Sequence, residues 1–571
     1  MTITSARRLR WKYERRNLEL EAALKEALGI HSLAAAVLAA RGYTDTEEAH
    51  AFLHPQIEHL HDARLLPDFH SALDLIMAAK KRSETVYVHG DYDVDGVTSA
   101  AIWTRSLRKL GFDVVPHVPH RLNEGYGIHE IAVREAHKAG AKLFLTCDCG
   151  SSAYETVALA KSLGMKVVVT DHHQLGEQMP AADAIVNPHR KDSTYPFPFL
   201  SGAGVTFKMA QAVSEACGVS AKSFQRAYLD LVCLGTIADV VPLIGENRVL
   251  AKFGLERLAE TNKVGLRALL AVAEIKPGVP ITSRNVGFQI CPRLNAAGRI
   301  ADADESLQIL LTDDPQEAER LAKSLDAHNQ QRKDEQNRIL EHADQIIREN
   351  GFLDDPLLFV FAPDWHVGVI GIVAGKLKDR YFRPVLVASV DEQTGIAKGS
   401  ARSTPMFHLY DALHANASLF HGYGGHAMAA GFSIAADRLE EAREELLTYS
   451  RERMDRDMLI PTVLADAEIG FDELDFDSVA ELSSFAPYGE ANPSPLFIMR
   501  SARVSRVMPT RNPDHAMFEL EDQTVIRGVA FGIGNELLKR ECPADMDLLI
   551  ALELNEWNGR KRVQVELKDF S

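Results

Sequence analysis

From residue 85 onward the chain repeats one pattern: a short apolar run, a turn, then a segment with helical spacing. TVYVHGDYDVDG leads into VTSAAIWTRSLRKLG, and KLFLTCDCG leads into SSAYETVALAKSLG. MKVVVTDHH and ADAIVNP add two more apolar runs, and LVCLGTIADVVPL (231–243) opens like a buried helix and ends in a polar loop. Strands alternating with helices predict an α/β fold around a parallel, doubly wound sheet, because parallel neighbours need crossover connections. Such sheets bind ligands outside the carboxyl ends of their strands. The residues that end each run therefore bear directly on chemistry.

Those ends are acidic. Asp91, Asp93 and Asp95 follow the first run, Asp148 the second, Asp171-His172-His173 the third, and Asp239 closes the 231–243 segment. Two carboxylates about 5 Å apart repel by roughly 3 kcal/mol at an effective dielectric near 20. Solvent, bound cations or a raised pKa must offset that. A lone Asp-x-Asp is often a helix cap or a solvated loop, but acids at four successive ends point to cations. Hard oxygen donors with one or two imidazoles suit Mn²⁺ or Mg²⁺ better than a closed thiolate zinc site. Two ions about 3.5–4 Å apart sharing a carboxylate could clamp a phosphoryl group. His89 is either a further ligand or a strand residue. Cys147 and Cys149 flank Asp148, and strand alternation puts both on the face opposite it, as packing residues.

Composition narrows the class. A chain of 571 residues with 46% hydrophobic and 25% charged residues predicts three or four globular domains. Six cysteines in such a length make no disulfide framework, so a reducing cytoplasm is expected. No apolar run approaches the ~20 residues that span a bilayer. MTITSARRLRWKYERR is basic, lacks the apolar segment of a secretory signal, and reads as the start of an amphipathic helix. The net charge of −17 excludes a uniformly basic nucleic-acid binder and leaves room for a local basic groove. The acid-free stretch SRNVGFQICPRLNAAGRI (283–300) is one candidate.

Five segments are expected: a helical segment over 1–84 packing on the catalytic domain, an α/β catalytic domain over 85–312, a connector helix within 313–350, a second α/β domain over 351–456, and a β-barrel over 457–571. The irregularly spaced histidines of the first segment do not make a metal site. In the connector, HNQQRKDEQNR has no apolar residue, which predicts a middle that faces no core and crosses solvent or the edge of a cleft. Asn558-Gly559 is a strong hairpin-turn signal. For gripping phosphates, Arg293 and Arg299 sit among small residues in PRLNAAGR, where arginine can fork two phosphate oxygens. The alternative is a structural loop held by salt bridges. Gly424, Gly425 and His426 open the Gly-rich turn GGHAMAAG, whose N–H groups can form an anion nest, and Ser400 and Arg402 offer a hydroxyl and a guanidinium to the same anion. Trp365 and His366 either stack on a base or plug an interface.

The ordered set GDYDVDG, TCDCG, TDHH, GTIADVVPL, PRLNAAGR, WHVGVIGIVAGKL, GGHAMAAG and PYGEANPSPLF resembles the DHH phosphoesterase family over nearly the whole chain, and most closely its branch of single-strand-specific exonucleases. The resemblance implies two α/β domains joined by a long helix around a cleft, with a C-terminal OB-type barrel. It implies a 5′→3′ exonuclease that degrades single-stranded DNA to 5′-mononucleotides in recombination and repair. It uses two ions, Mn²⁺ or Mg²⁺, held by Asp91, Asp93, Asp95, Asp148, His172 and Asp239. Asp148 is the bridging carboxylate, and His173 sits near the scissile phosphate. Implied partners are a single-strand-binding protein and a RecQ-type helicase, and the implied chain is a cytoplasmic monomer that meets no membrane. Cys149 departs from the pattern, where a small polar residue is expected. Smaller relatives that hydrolyse oligoribonucleotides, cyclic dinucleotides or pyrophosphate lack the barrel, and inactive scaffolds of this fold lack the acids. No Gly-rich dinucleotide fingerprint follows the first strand, which sets aside an oxidoreductase.

Overall fold

The computed structural model describes residues 2–4, 9–120, 127–300, 303–522, 524–557 and 560–571, so Arg7, Arg8 and the Asn558-Gly559 turn lie outside the described residues. The chain divides into two compact units: His54–Lys333 with Pro487–Pro493, and Met1–Leu53 with Asp334–Ala486 and Ser494–Ser571.

In the unit built on residues 54–333, helix α1 (Phe69–Lys81) precedes strand β1 (Val86–His89), helix α2 (Val94–Lys109), strand β2 (Val114–His117) and helix α3 (Glu130–Lys138). Strand β3 (Leu143–Cys147), helix α4 (Tyr154–Ser162), strand β4 (Lys166–Thr170) and strand β5 (Ala184–Val186) follow. The sheet is parallel throughout, in the order β2-β1-β3-β4-β5. Strand β2 carries Pro116, which hides it from pattern reading and which only an edge strand tolerates. Val86, Val88, Leu145 and Cys147 pack on one face, while Tyr87, Phe144, Val167 and Val169 pack on the other with residues of α3 and α4. The order reverses beside β1, so the crevice between the ends of β1 and β3 is the switch point where such sheets bind ligands.

The rest of this unit is helical: α5 (Gly202–Ala216), α6 (Ala221–Ala238), α7 (Gly245–Ala259), α8 (Val264–Val272), α9 (Cys291–Ile300) and α10 (Asp304–Leu311). PRLNAAGR is thus a helix, α9, and not a loop. The expected connector is helix α11 (Pro315–Glu349). Its polar middle does not face solvent all round: Asn329, Arg332 and Gln336 are buried, and the Arg332 guanidinium donates to Asn329 Oδ1 at 3.0 Å. Their spacing places them along one stripe of the helix, where side-chain hydrogen bonds, not apolar contacts, allow burial.

The other unit holds a second sheet and the barrel. Strand β6 (Leu358–Pro363), helix α12 (Val367–Tyr381), strands β7 (Val385–Asp391) and β8 (Ile396–Arg402), helix α13 (Leu409–Ala415), strands β9 (Phe420–Gly425) and β10 (Ala429–Ala435) and helix α14 (Leu439–Arg451) make a five-stranded sheet in the order β9-β10-β8-β7-β6. Only β6 and β7 are parallel. Beyond it, β11 (Phe497–Pro509), β12 (Ala516–Glu521), β13 (Val525–Ala530), β14 (Ala544–Trp557) and β15 (Arg560–Phe570) form a ring in the order β11-β12-β13-β15-β14, closed by β14 against β11, giving a five-stranded barrel in which only β13 and β15 are parallel neighbours.

The N-terminal segment departs from expectation twice. Residues Arg10–Lys12 form a strand, not an amphipathic helix, and pair in parallel with Thr462–Leu464. Residues 1–53 belong with the barrel and not with the catalytic domain. Trp11 is the reason: its indole is fully buried with Ile498 and Leu549, and its N–H donates to buried Asp569 at 2.9 Å. Arg41 pairs with Asp466 at 2.9 Å and Phe52 packs edge-on against Phe485. Residues 54–84 do belong with the catalytic domain, with Ala72 and Ile76 of α1 in its core.

Candidate active site

At the switch point Asp91, Asp95 and Asp148 are buried and Asp93 and Asp239 half-buried, and backbone N–H groups hold Asp93 and Asp95. Asp93 caps α2, its Oδ1 accepting the N–H groups of Asp95 (2.9 Å) and Gly96 (3.1 Å), which is the cap reading of this residue. Asp95 lies under the start of α5 and accepts the N–H groups of Gly202 and Ala203 at 2.7 and 2.9 Å. That helix terminus supplies partial positive charge to a carboxylate crowded by others. Asp148 follows β3 with φ +61°, a left-handed conformation costing on the order of 1–3 kcal/mol outside glycine. The turn breaks strand alternation, so Cys147 and Cys149 lie in opposite core layers rather than on one face. Both remain buried packing residues.

His172 gathers the carboxylates. Its Nε2 lies 3.1 Å from Asp148 Oδ1, 3.6 Å from Asp239 Oδ2 and 3.8 Å from Asp95 Oδ2. Two overlapping groups of donors result, Asp148 with His172 and His173, and Asp95 with His172 and Asp239. Asp148 Oδ1 and His172 Nε2 are close, yet neither has a hydrogen-bond partner, and neither does the buried Asp91 Oδ1. Asp148 Oδ1 and His172 Nε2, buried, unpartnered and within one group, have the chemistry of cation ligands; Asp91 lies in neither group.

Charge behaviour follows. Burial, then the charge of Asp93, pushes Asp95 up to about 7, and burial followed by Asp95 and Asp93 pushes Asp239 up to about 8. Asp91 and Asp148 are raised well above the carboxylate range by burial and then by neighbouring aspartates. Burial and the neighbouring His173 push His172 down to about 4, leaving a neutral imidazole fit to ligate. His173 is the opposite: burial alone would lower it, but the hydrogen bond with Asp171 and that carboxylate's charge raise it to about 9.

Asp171 itself is not among the grouped donors. Its Oδ2 accepts the N–H of Ser151 at 2.9 Å, and its Oδ1 lies 2.8 Å from His173 Nδ1. His89 also stays outside them; it is fully buried, with its ring 5.2 Å from that of His117 and 5.6 Å from that of Phe144.

Pattern reading missed several supports. A Cβ at Gly202 would overlap the Asp148 carboxylate, and one at Gly235 would overlap Asp95 and Ala203. Both glycines are fixed by close approach. Asn187, at the end of β5, donates to Ser151 Oγ and His173 O, each at 2.9 Å. Its signal was present in the run ADAIVNP, a fifth strand end bearing a polar residue.

Of the phosphate candidates, Arg293 ties three elements together, donating to Asp326 Oδ1 on α11, Gln289 O and Val272 O. This is the salt-bridge alternative. Arg299 lies at the other end of α9, where Gly298 abuts the backbone of Tyr92 in the Asp91–Asp95 loop. In the second sheet, β8 and β9 flank β10, with Ser400 and Gly424 both opposite Gly431 and Arg402 opposite Ala429. Ser400, Arg402, Gly424, Gly425 and the turn residue His426 thus cluster at one end of three strands. Trp365 is 2% exposed and donates to His342 of α11, so it is a core plug, and His366 caps α12.

Three family models match the chain: the DHH family N-terminal domain over residues 85–236, the DHHA1 domain over 354–452 and the RecJ OB domain over 465–569. A single-stranded-DNA-specific exonuclease RecJ from Bacillus subtilis is 36% identical over 567 residues, covering 99% of this chain and 71% of its own. The chain belongs to the RecJ family. A crystal structure of the family's member from Thermus thermophilus in complex with Mn²⁺ has TM-score 0.84 at 30% identity, covering 99% of this chain and 80% of that one. The same protein in complex with Mg²⁺ matches with TM-score 0.78 at 29% identity, covering 99% and 78%.

Proposed function

We propose that the chain is a metal-dependent exonuclease that degrades single-stranded DNA from its 5′ end to 5′-mononucleotides, in DNA recombination and repair. The observation that carries this is the pair Asp148 Oδ1 and His172 Nε2, buried 3.1 Å apart without hydrogen-bond partners at the switch point of the parallel sheet. Asp91, Asp93, Asp95, Asp148, His172 and Asp239 would hold two ions, Mn²⁺ or Mg²⁺. When bound, the ions lower the pKa of the attacking water and stabilise charge on the leaving oxygen.

The chain's own residues do the rest. Neutral His172 ligates without competing for a proton. Cationic His173, oriented by Asp171, faces the developing charge of the phosphate. Ser400, Arg402 and the turn at Gly424, Gly425 and His426 are the groups of their unit suited to hold the 5′-terminal phosphate, and Arg299 is the guanidinium of the other unit suited to a backbone phosphate. The barrel favours a polymer over a dinucleotide as substrate. No described helix is long and apolar enough to cross a membrane. Family membership supports a cytoplasmic location, a monomer, and a single-strand-binding protein and RecQ-type helicase as partners.

The test is release of label from single-stranded DNA marked at the 5′ end in one tube and the 3′ end in another, each with Mn²⁺, Mg²⁺ or a chelator. Immediate 5′-labelled mononucleotide that the chelator abolishes is the expected result. Release from the 3′ end first, or cleavage that survives chelation, overturns the proposal.

A further inference from the structure

At the far end of α2 from the metal centre lies a cavity of about 650 Å³ that none of the chemistry above uses. Along the helix axis its first lining residue, Arg105, lies about 15 Å from Asp95, at 1.5 Å per residue. Six cationic side chains line it: Arg105, Arg108 and Lys109 from α2, Arg226 from α6, Arg257 from α7 and Lys263 at the start of α8. Only two acids share the lining, Asp230 and Asp313. Both are engaged, Asp230 with Lys263 at 2.7 Å and Asp313 with Arg105 at 2.7 Å. In a chain of net charge −17, six cations around one concavity need an explanation.

Helix dipoles explain part of it. Arg108, Lys109 and Arg257 sit in the last turns of their helices, where cations are favoured. Lys263 and Arg226 do not fit that account: Lys263 occupies the N-cap of α8, and Arg226 lies in the second turn of α6, the positive halves of both helices. Among the described residues, Lys109 and Arg226 have no acidic partner within ion-pair distance, and both are exposed toward the cavity. Of the six, Arg226 alone is both placed against a helix dipole and without an acidic partner among the described residues, and with Lys109 beside the same cavity it marks a site for an anion from solution.

We infer that this cavity binds a compact polyphosphate, either free or as a nucleoside triphosphate. Its volume lies in the range of small-ligand pockets. Three of the six already face an acid, Arg105 with Asp313, Lys263 with Asp230 and Arg257 with Glu260 at 3.3 Å, and a single phosphate would not match the charge of the other three, Arg108, Lys109 and Arg226. An extended strand of nucleic acid calls for an open basic track with stacking platforms, and an acidic peptide for a strand edge or an apolar groove. Here the walls are helices and helix ends, no strand edge is present, and the one aromatic residue in the lining, Tyr228, is buried.

The experiment uses the full chain in excess chelator, which keeps the metal centre out of the titration. Inorganic triphosphate and adenosine triphosphate are each titrated by calorimetry into the wild type, a Lys109→Glu/Arg226→Glu variant and Asp148→Asn. Both reversed residues are exposed, and an unchanged melting temperature verifies the fold. One site per chain is expected, weakened roughly tenfold or more by the double reversal, since each lost charge-assisted contact is worth at least that factor. Asp148→Asn should leave it intact. Equal affinity for the two ligands means the phosphates alone are read, and tighter adenosine triphosphate means the nucleoside contributes; both support the site. No binding at millimolar ligand, binding indifferent to the reversal, or binding lost in Asp148→Asn overturns it. So does a double reversal that weakens only a single-stranded oligonucleotide, which would make the cavity a nucleic-acid contact.

Discussion

Asp171 Oδ1 sits 2.8 Å from His173 Nδ1 and also accepts the backbone N–H groups of His172, at 2.7 Å, and His173, at 3.2 Å. One oxygen therefore fixes the backbone of both histidines and the ring of the second. The acid that names the triplet is a positioning residue. Asp171→Asn keeps the volume and loses the charge, so His173 should lose its raised pKa and its orientation. Turnover is expected to fall by roughly 10–100-fold, as for other oriented imidazoles. Mn²⁺ affinity, read by calorimetry, should change less than kcat; equal losses would make Asp171 a ligand.

Asp148 is the most crowded carboxylate, and its charge is unfavourable until a cation arrives. In Asp148→Asn the repulsion goes while the shape stays. The metal-free variant should melt at or above the wild-type temperature, while the rise in melting temperature that Mn²⁺ gives the wild type should shrink or vanish. Exonuclease turnover should be lost. A normal Mn²⁺-induced shift in this variant would remove Asp148 from the metal set.

The pH dependence has a definite sign. Asp95 at about 7 and Asp239 at about 8 stay protonated in the metal-free fold where an unfolded chain, with carboxylates near 4, has already released those protons. The folded state then binds more protons than the unfolded state, so metal-free stability falls as pH rises from about 4 through 8. Cation binding expels the same protons, and affinity for Mn²⁺ should climb between about pH 6 and 8. Calorimetry in two buffers of different ionisation enthalpy counts the protons; none released would mean the acids are already ionised.

Gly235 gives a steric test. A methyl group there meets Asp95 Oδ1, Ala203 Cβ and Thr98 Oγ1 together. Gly235→Ala should cost about 1–3 kcal/mol of stability by overpacking, and should weaken Mn²⁺ binding through Asp95. A variant that melts with the wild type and binds Mn²⁺ equally well would show that α6 can shift away at no cost.

Trp11 tests the other unit. Trp11→Phe keeps most of the packing and strands a buried Asp569 oxygen, at about 1–3 kcal/mol. Denaturant unfolding should show the loss, and Trp11→Phe with Asp569→Asn should recover part of it.

Much of the centre was legible because its signal is local: each acid lies within a few residues of an apolar run, and the parallel topology carries strand ends to one edge. The division of labour was not legible. Nothing in Asp171-His172-His173 says that the aspartate turns away, because its partner, the N–H of Ser151, lies across the sheet. Arg293 and Arg299 read alike in PRLNAAGR, and nothing in that run announces the partners of Arg293, Asp326, Gln289 and Val272, which lie 4 to 33 residues away. Cys149 was misplaced because alternation assumes extended backbone, and Asp148 leaves it. Strand β2 was hidden by its proline. The N-terminal strand was hidden for a different reason: its partner lies far along the chain, and a basic, aromatic stretch alone resembles a helix start.

That last pairing has a consequence for the order of assembly. Arg10–Lys12 leave the ribosome about 450 residues before Thr462–Leu464, and Ile498 and Asp569 must also be synthesised before Trp11 has its surroundings. The emerging segment waits with a bare indole and an unpaired strand edge while residues 54–333 can already close their own core. Quality-control factors have that interval in which to engage it. For the same reason, a protein cut after residue 458 is not a barrel-free nuclease but one whose first fifty residues have lost the surface they fold against.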